Sequence, residues 1–549
     1  MKKFIKKYPI FCVVALVFIC LVPAMTTRDF TPSNELRYLN IADEAIANHS
    51  VFAFTNNGSP YADKPPLYLW LVMLCRVLAG RHSMFLLSLL SFIPSALIVW
   101  VMDKWMVRGL KEAGKEADAL MRISMALMLF TTGMFFGACI FLRMDTLMAL
   151  FIVLAISSFY KMYKGIGNIE LQSWLFPLWI FLGLFTKGPV GLLMPIVSVI
   201  CFLLVKKKGK EIGKYLGIKT FGIIIGLCAV WLLGVWLDGG SDYLYNLTIH
   251  QTFGRAFNSF SHKKPFYFYF VAMFINLLPY FIFMIPILVS GLLKSKEGKQ
   301  KSDTEVLFLS TICGTFVMMS LFSAKLPIYL LPIVPFLVYC LPLEIARRGM
   351  KAWMRWCIFS TAALFMIISG FGIYVIKHPD SISFIAKSIE QFPFATANLN
   401  LYGLMILLAA SILSIAEMVN GKRDYKSIIY LACGILFCVY SASFEIKALN
   451  PYIGYGEICK EVPSDVRVTT LFIRRAENMK VYLGREVVDY HKDIDKFLTK
   501  EGYNQNSETE QTVLIISSND IQKDQRLSDF IHQKGHLVTV VGPNSLVLF

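Results

Sequence analysis

The chain has 549 residues, 56% of them hydrophobic, 14% aromatic and 17% charged, with a mean hydropathy of +0.58. That composition excludes a string of soluble domains and describes a polytopic membrane protein. The formal net charge of +17 is not a nucleic-acid signal, because the excess sits in short loops between apolar stretches, with no basic, aromatic-interleaved stripe outside them.

In chain order, Lys2, Lys3, Lys6 and Lys7 precede an apolar run from Ile10 to Met25. With so many apolar stretches downstream, this run reads as an uncleaved first transmembrane helix rather than a signal peptide. Hydropathy predicts thirteen spans, at residues 8–26, 84–106, 121–142, 146–162, 173–186, 188–205, 216–237, 267–293, 305–323, 328–346, 355–376, 399–418 and 427–447. With a cytoplasmic N-terminus, the inner segments hold 28 Lys/Arg and the outer segments before the tail hold 13, so the positive-inside bias favours this orientation. Pro65–Gly80 is apolar but has only 16 residues, roughly 24 Å of helix. If it crossed, the Lys-rich loops would face outward, so it reads as a re-entrant or interfacial helix started by its prolines.

Eleven of the twelve cysteines lie in or beside apolar stretches and no CxxC pair occurs, so neither a disulfide framework nor a zinc knuckle is implied. After residue 448 the composition turns polar, with short β-like runs at Val466–Phe472, Val487–Tyr490, Val513–Ser517, Leu537–Val541 and Leu546–Phe549. Residues 449–549 therefore read as a small soluble α/β domain, following a membrane domain over 1–448 whose first external loop is 26–83.

The external side of this topology collects charges next to prolines and hairpin turns: Asn34-Glu35 with Arg37, Asp63-Lys64-Pro65-Pro66, Arg143 with Asp145, Lys187-Gly188-Pro189 and Lys325-Leu326-Pro327. A charge near hydrocarbon costs several kcal/mol unless it is paired or faces a wet cavity, so each is a functional candidate. The first loop predicts an amphipathic helix with Ser33 as N-cap and an apolar stripe of Leu39, Ala42 and Ile46. Glu35 and Asp145 supply carboxylates able to take a proton or orient an acceptor. Lys64, Lys187, Arg255, Lys325 and the Tyr329 hydroxyl make a cradle for a phosphate at the outer membrane face. A molecule with its phosphate at the interface and its tail in lipid is a lipid-linked sugar. Taken singly, each cation reads equally well as a snorkelling anchor.

The ordered segments NELRY, YADKPPLYLW, FLRMD, FTKGPVGLLMP and KLPIYLLP resemble the GT-C glycosyltransferases of the protein O-mannosyltransferase and aminoarabinose lipid A transferase group, over roughly residues 8–345. The resemblance implies a mainly α, polytopic GT-C fold of about thirteen spans with a small C-terminal periplasmic α/β domain, in a bacterial inner membrane. It implies inverting transfer of a sugar from a polyprenyl-phosphate donor to a lipid A-type phosphate, a glycan or a protein hydroxyl on the periplasmic face. Glu35, Asp145 and Asn34 would then be catalytic, with Arg37, Tyr38, Tyr61 and Asp63 at the sugar and acceptor. The group's first loop usually reads Asp-Glu where this chain has Asn34-Glu35, and Asn cannot be a general base. Either Glu35 or Asp145 takes that role, or the acceptor is already anionic and needs no base. No cofactor is required; Asp63 and His262 offer zinc-compatible chemistry, but two ligands fall short of a site. The rival readings are an envelope-lipid transporter or flippase, which would place its charges near the bilayer midplane, and an O-antigen ligase or polymerase.

Overall fold

The structure is a computed structural model and describes residues 2–249, 264–293, 300–381, 398–420, 424–499 and 511–549. It divides into two units.

The first unit comprises Met1–Pro23, Ala62–Tyr68 and Ser88–Phe444. Among the described residues of the chain, ten helices are long and apolar enough to cross a membrane, or eleven if one bent pair is a single span. Three of the thirteen predicted spans depart from straight, full-length helices. Residues 121–142 form Ala119–Thr131 and Gly133–Ile140, bent by 70°. At the bend Thr132 Oγ1 donates to the Met128 carbonyl at 2.8 Å and the Gly133 N–H to the Leu278 carbonyl at 2.7 Å, so the broken ladder is satisfied locally. Residues 188–205 form Pro189–Val205, 17 residues long and short of a full span. Residues 267–293 split into Phe268–Asn276 and Phe281–Leu292 around Pro279, which has no N–H to give a helix.

Two turns of this unit position functional side chains. Asp145 is the first residue of helix Asp145–Lys164, where a carboxylate complements the positive end of the helix dipole. Lys187 is the last residue of helix Ile169–Lys187; Gly188, at φ 102°, reverses the chain and Pro189 starts the next helix. The two helices of this hairpin meet at glycines. A Cβ on Gly191 would lie 2.2 Å from the Gly183 carbonyl, so only glycine allows this approach.

The Lys/Arg-rich ends of the helices carry buried acids that the sequence did not single out. Asp103 is forked by Arg122 at 2.7 Å, and Arg347 bridges Glu305 at 3.0 Å and Glu344 at 2.5 Å. Each acid is about 1% exposed and each is paired, as burial of a charge requires.

The second unit comprises Ala24–Tyr61, Leu69–Leu87 and Glu445–Phe549. Its sheet has the strand order Val487–Asp489, Arg467–Leu471, Thr512–Ser517, Asn544–Leu548, His536–Val541. The first three strands run parallel, and Asn544–Leu548 is antiparallel to both of its neighbours. Leu471, Leu514, Ile516 and Val547 bury against Phe497, Leu527 and Ile531 from the flanking helices. All five predicted β runs are strands.

The unit also differs from the sequence division at residue 448, because the first loop packs with the C-terminal segment. Asp29 is the reason. Its carboxylate accepts from the Gly456 N–H at 2.7 Å and from the Tyr482 hydroxyl, while its own N–H donates to Asn450 Oδ1 at 2.9 Å. Gly454 and Gly456 leave the room: a Cβ on either would fall within 3 Å of the Asp29 carboxylate. Burial, then the Asp29 charge, pushes the Tyr482 hydroxyl pKa up.

Candidate active site

Four residues singled out from the sequence line one cavity of about 370 Å³ in the first unit: Asp63, Lys64, Lys187 and Tyr329. Asp63 and Lys64 come from the segment before Pro65, Lys187 from the Gly188 turn, and Tyr329 from the 3-10 turn Pro327–Ile333. The remaining wall is largely apolar, with Leu184, Leu193, Trp231, Leu247, Met319 and Phe322. Two ammonium groups, a phenol and a carboxylate thus stand beside hydrocarbon. This arrangement suits an anionic head on an apolar tail.

Lys187 is the pivot. Its ammonium pairs with Asp145 Oδ1 and lies 4.8 Å from the centroid of the Tyr329 ring, a cation-π distance. The other Asp145 oxygen is 3.7 Å from Arg143 Nε, so both oxygens of Asp145 face cations. Ser91 holds the turn before Asp145: its hydroxyl donates to the Phe141 carbonyl at 2.7 Å and accepts from the Arg143 N–H at 3.3 Å. Lys325 has a different place from the one its neighbours suggested. It is buried, with its ammonium on the Lys264 carbonyl at 3.1 Å and on the Phe322 carbonyl, so it ties Lys264 to the wall segment Phe322–Ala324 rather than lining the cavity.

Asn34, Glu35, Arg37, Tyr38 and Tyr61 belong to the second unit. Glu35 is 1% exposed and forked by Arg28, with NH1 to Oε2 and NH2 to Oε1 both at 2.7 Å; the Thr31 N–H adds 2.7 Å to Oε2. The helix starts one residue later than predicted, at Glu35, with Asn34 in the N-cap position. Asn34 does not cap through its side chain; its Oδ1 instead accepts from the Arg37 guanidinium at 3.0 Å. The Arg37 guanidinium stands 5.8 Å from the Tyr38 ring centroid and 5.6 Å from that of Tyr61. Asn34, Arg37, Tyr38 and Tyr61 therefore form one polar, aromatic group. Arg255 and His262 lie outside the described residues. Among the described residues no three His, Cys, Asp or Glu side chains group as metal ligands.

Sequence reasoning missed Arg28, Ser91, Trp231 and the Gly183–Gly191 contact. Arg28 precedes Glu35 by seven residues, a spacing with no periodic signature, and the glycines read simply as part of an apolar run.

No protein-family model matches the chain. The undecaprenyl phosphate-alpha-4-amino-4-deoxy-L-arabinose arabinosyl transferase of Erwinia tasmaniensis is 23% identical over 369 residues, 65% of this chain and 63% of that protein. The protein of the same name from Pseudomonas savastanoi pv. phaseolicola is 24% identical over 304 residues, 54% of each chain. The match thus spans less than two thirds of the length of these curated relatives. The crystal structure of ArnT from Cupriavidus metallidurans bound to undecaprenyl phosphate superposes with a TM-score of 0.73, covering 98% of this chain and 97% of that one at 14% identity. The chain therefore has the fold of ArnT, and over part of its length its sequence is similar to the aminoarabinose transferases.

Proposed function

We propose that this protein is an inverting glycosyltransferase that moves a sugar from a polyprenyl-phosphate donor to an envelope acceptor at the periplasmic face of the inner membrane. The observation that carries the reading is the cavity of Asp63, Lys64, Lys187 and Tyr329 against an apolar wall. The donor's lipid follows Leu184, Leu193 and Phe322, and its phosphate meets Lys64, Lys187 and the Tyr329 hydroxyl. An acceptor oxygen attacks the anomeric carbon from the face opposite the phosphate. The bond from that carbon to the phosphate oxygen breaks, and polyprenyl phosphate leaves with the electron pair. The two ammonium groups stabilise the charge that grows on it. Asp145 holds Lys187 in place, and Lys325 fixes the wall.

The polar, aromatic group of Asn34, Arg37, Tyr38 and Tyr61 carries the sequence-based assignment to acceptor and sugar. The acceptor is a phosphate of the lipid A type. Asn34 stands where the related group carries a carboxylate, and a phosphate attacks without losing a proton. The relatives' names make the undecaprenyl-phosphate aminoarabinose the first donor to supply.

The test is a reconstituted transfer assay with that donor and paired phosphate and hydroxyl acceptors, comparing wild type with Lys64→Ala and Asn34→Asp. Lys64→Ala is expected to lower the rate, and Asn34→Asp to help hydroxyl acceptors alone, by as much as about 10²-fold for a restored base. Wild-type and Lys64→Ala rates that coincide would remove the cradle. Lipid movement across the bilayer with no new glycosidic bond would make the protein a transporter.

A further inference from the structure

We infer that the first unit carries a second lipid site, for an anionic phospholipid of the surrounding bilayer, in a cavity of about 480 Å³ where the N-terminal segment meets helix Met84–Glu112. It shares no lining residue with the donor cavity, and nothing in the proposed transfer uses it.

One lining residue is a fixed cation. Asp103, 1% exposed, accepts a fork from Arg122, at 2.7 Å from NH2 and 3.1 Å from Nε, and this holds the guanidinium in the cavity lining. Two further cations stand at its rim. The Lys104 ammonium is 3.6 Å from the Trp100 ring centroid, and the Lys7 ammonium is 5.2 Å from that of Tyr8. Among the described residues neither lysine has an ion-pair partner, so three cations share one carboxylate, and that carboxylate is already committed to Arg122. The lining therefore holds positive charge that a lipid phosphate would neutralise.

The apolar half of the cavity says what kind of anion. Phe11 and Leu97 are 65% and 42% exposed, and both belong to helices apolar enough to cross a membrane. Trp100, 48% exposed, and Tyr8, 45% exposed, are the residue types that mark the membrane-water boundary. A small water-soluble anion has no use for that wall. A zwitterionic lipid would bring a choline cation to the lysines. A phosphate ester with acyl chains and no compensating cation fits both halves, as basic pockets between spans fit anionic lipids. On the orientation favoured by the Lys/Arg bias, its leaflet is the cytoplasmic one, opposite the proposed chemistry.

The experiment compares full-length protein reconstituted in phosphatidylcholine bilayers with trace spin-labelled phosphatidylglycerol or spin-labelled phosphatidylcholine, reading the motionally restricted fraction. Wild type should prefer phosphatidylglycerol, and Lys7→Ala/Lys104→Ala should lose about five-fold of that preference for each lysine removed. Lys7→Arg/Lys104→Arg should keep it, which separates charge from any effect on folding. Equal restriction of the two lipids by wild type overturns the site, as does an unchanged preference in the alanine pair. Loss of preference in the arginine pair, with unfolding temperature intact, would overturn it as well, because the charges would still be present.

Discussion

Asp145 and Lys187 close an ion pair between the first residue of one helix and the last residue of the next, with side chains only 4% and 9% exposed. In sequence they are 42 residues apart, each at what reads as a simple hairpin turn. The pair fixes the height of the Lys187 ammonium against the Tyr329 ring, and so the cationic side of the cavity. Removing one partner of such a pair strands the other charge in a buried place. Lys187→Met is expected to destabilise the protein by about 3–5 kcal/mol. The double variant Lys187→Met/Asp145→Asn should regain most of that stability and none of the transfer rate. Thermal unfolding in detergent, run beside the transfer assay, checks both parts. A double variant as unstable as the single one would show that the pair does not act as a unit.

The fork between Arg28 and Glu35 leads to a separate expectation. Both Glu35 oxygens are engaged by Arg28 and one also by the Thr31 N–H, in a place where water hardly reaches. Glu35→Gln removes the charge but keeps the shape. It should lower stability by about 3 kcal/mol, as breaking a buried pair does. Arg28→Met/Glu35→Met should be the milder change. If Glu35 acted on the acceptor directly, the transfer rate would collapse in Glu35→Gln while the unfolding temperature stayed put, and the structural role of the fork would be lost.

Asp43 gives a pH dependence whose sign can be worked out. Burial raises its pKa, but the hydrogen bonds and charges of His82, at 2.8 Å, and Arg76, at 3.0 Å, outweigh burial and leave it below the usual carboxylate range. A carboxylate with a lowered folded-state pKa adds stability above its unfolded value, near pH 4, and loses it as pH falls through the folded value. The stability of the second unit should therefore drop as the pH falls below about 4. In Asp43→Asn that part of the acid loss should be absent, at the cost of lower stability near neutrality. Unfolding curves read from the sheet's near-UV signal across that range are the measurement. A parallel acid slope in both proteins would mean that Asp43 contributes nothing to it.

Much of this fold was legible because its strongest signals are local. Long apolar runs mark spans and short ones in a polar tail mark strands, and Val466–Phe472 and Leu546–Phe549 were readable by that rule. The breaks at Thr132 and Pro279 were not, since mean hydropathy averages over a bent or interrupted helix as it does over a straight one. The packing of the first loop with the C-terminal segment was also invisible. It depends on Asp29 meeting Asn450, Gly456 and Tyr482 more than four hundred residues away, and no periodicity encodes such a pairing. In the cavity, charged residues stood out because charge is rare in an apolar sequence. Lys325 shows the limit of that argument: a buried ammonium can equally be spent on backbone carbonyls.

The Gly183–Gly191 contact offers a local test of how the Lys187 turn is held. Gly191 lies in the first turn of the helix after Lys187, and its missing Cβ lets that helix meet Gly183, where the added atom would lie 2.2 Å from a backbone carbonyl. Backbone cannot rotate aside as a side chain can, so Gly191→Ala must push the hairpin helices apart. Overpacking of this kind costs about 1–3 kcal/mol. The displacement would fall on Gly188 and Lys187, three and four residues away, and so on the ammonium that faces Tyr329. Gly191→Ala should thus reduce transfer more than a substitution of equal destabilisation placed in the core of the C-terminal domain, such as Ile531→Val in the cluster that holds Val547. Matching the two variants by unfolding temperature and comparing their rates decides it. Equal rates at equal stability would mean that the glycine contact serves the fold alone and does not position Lys187.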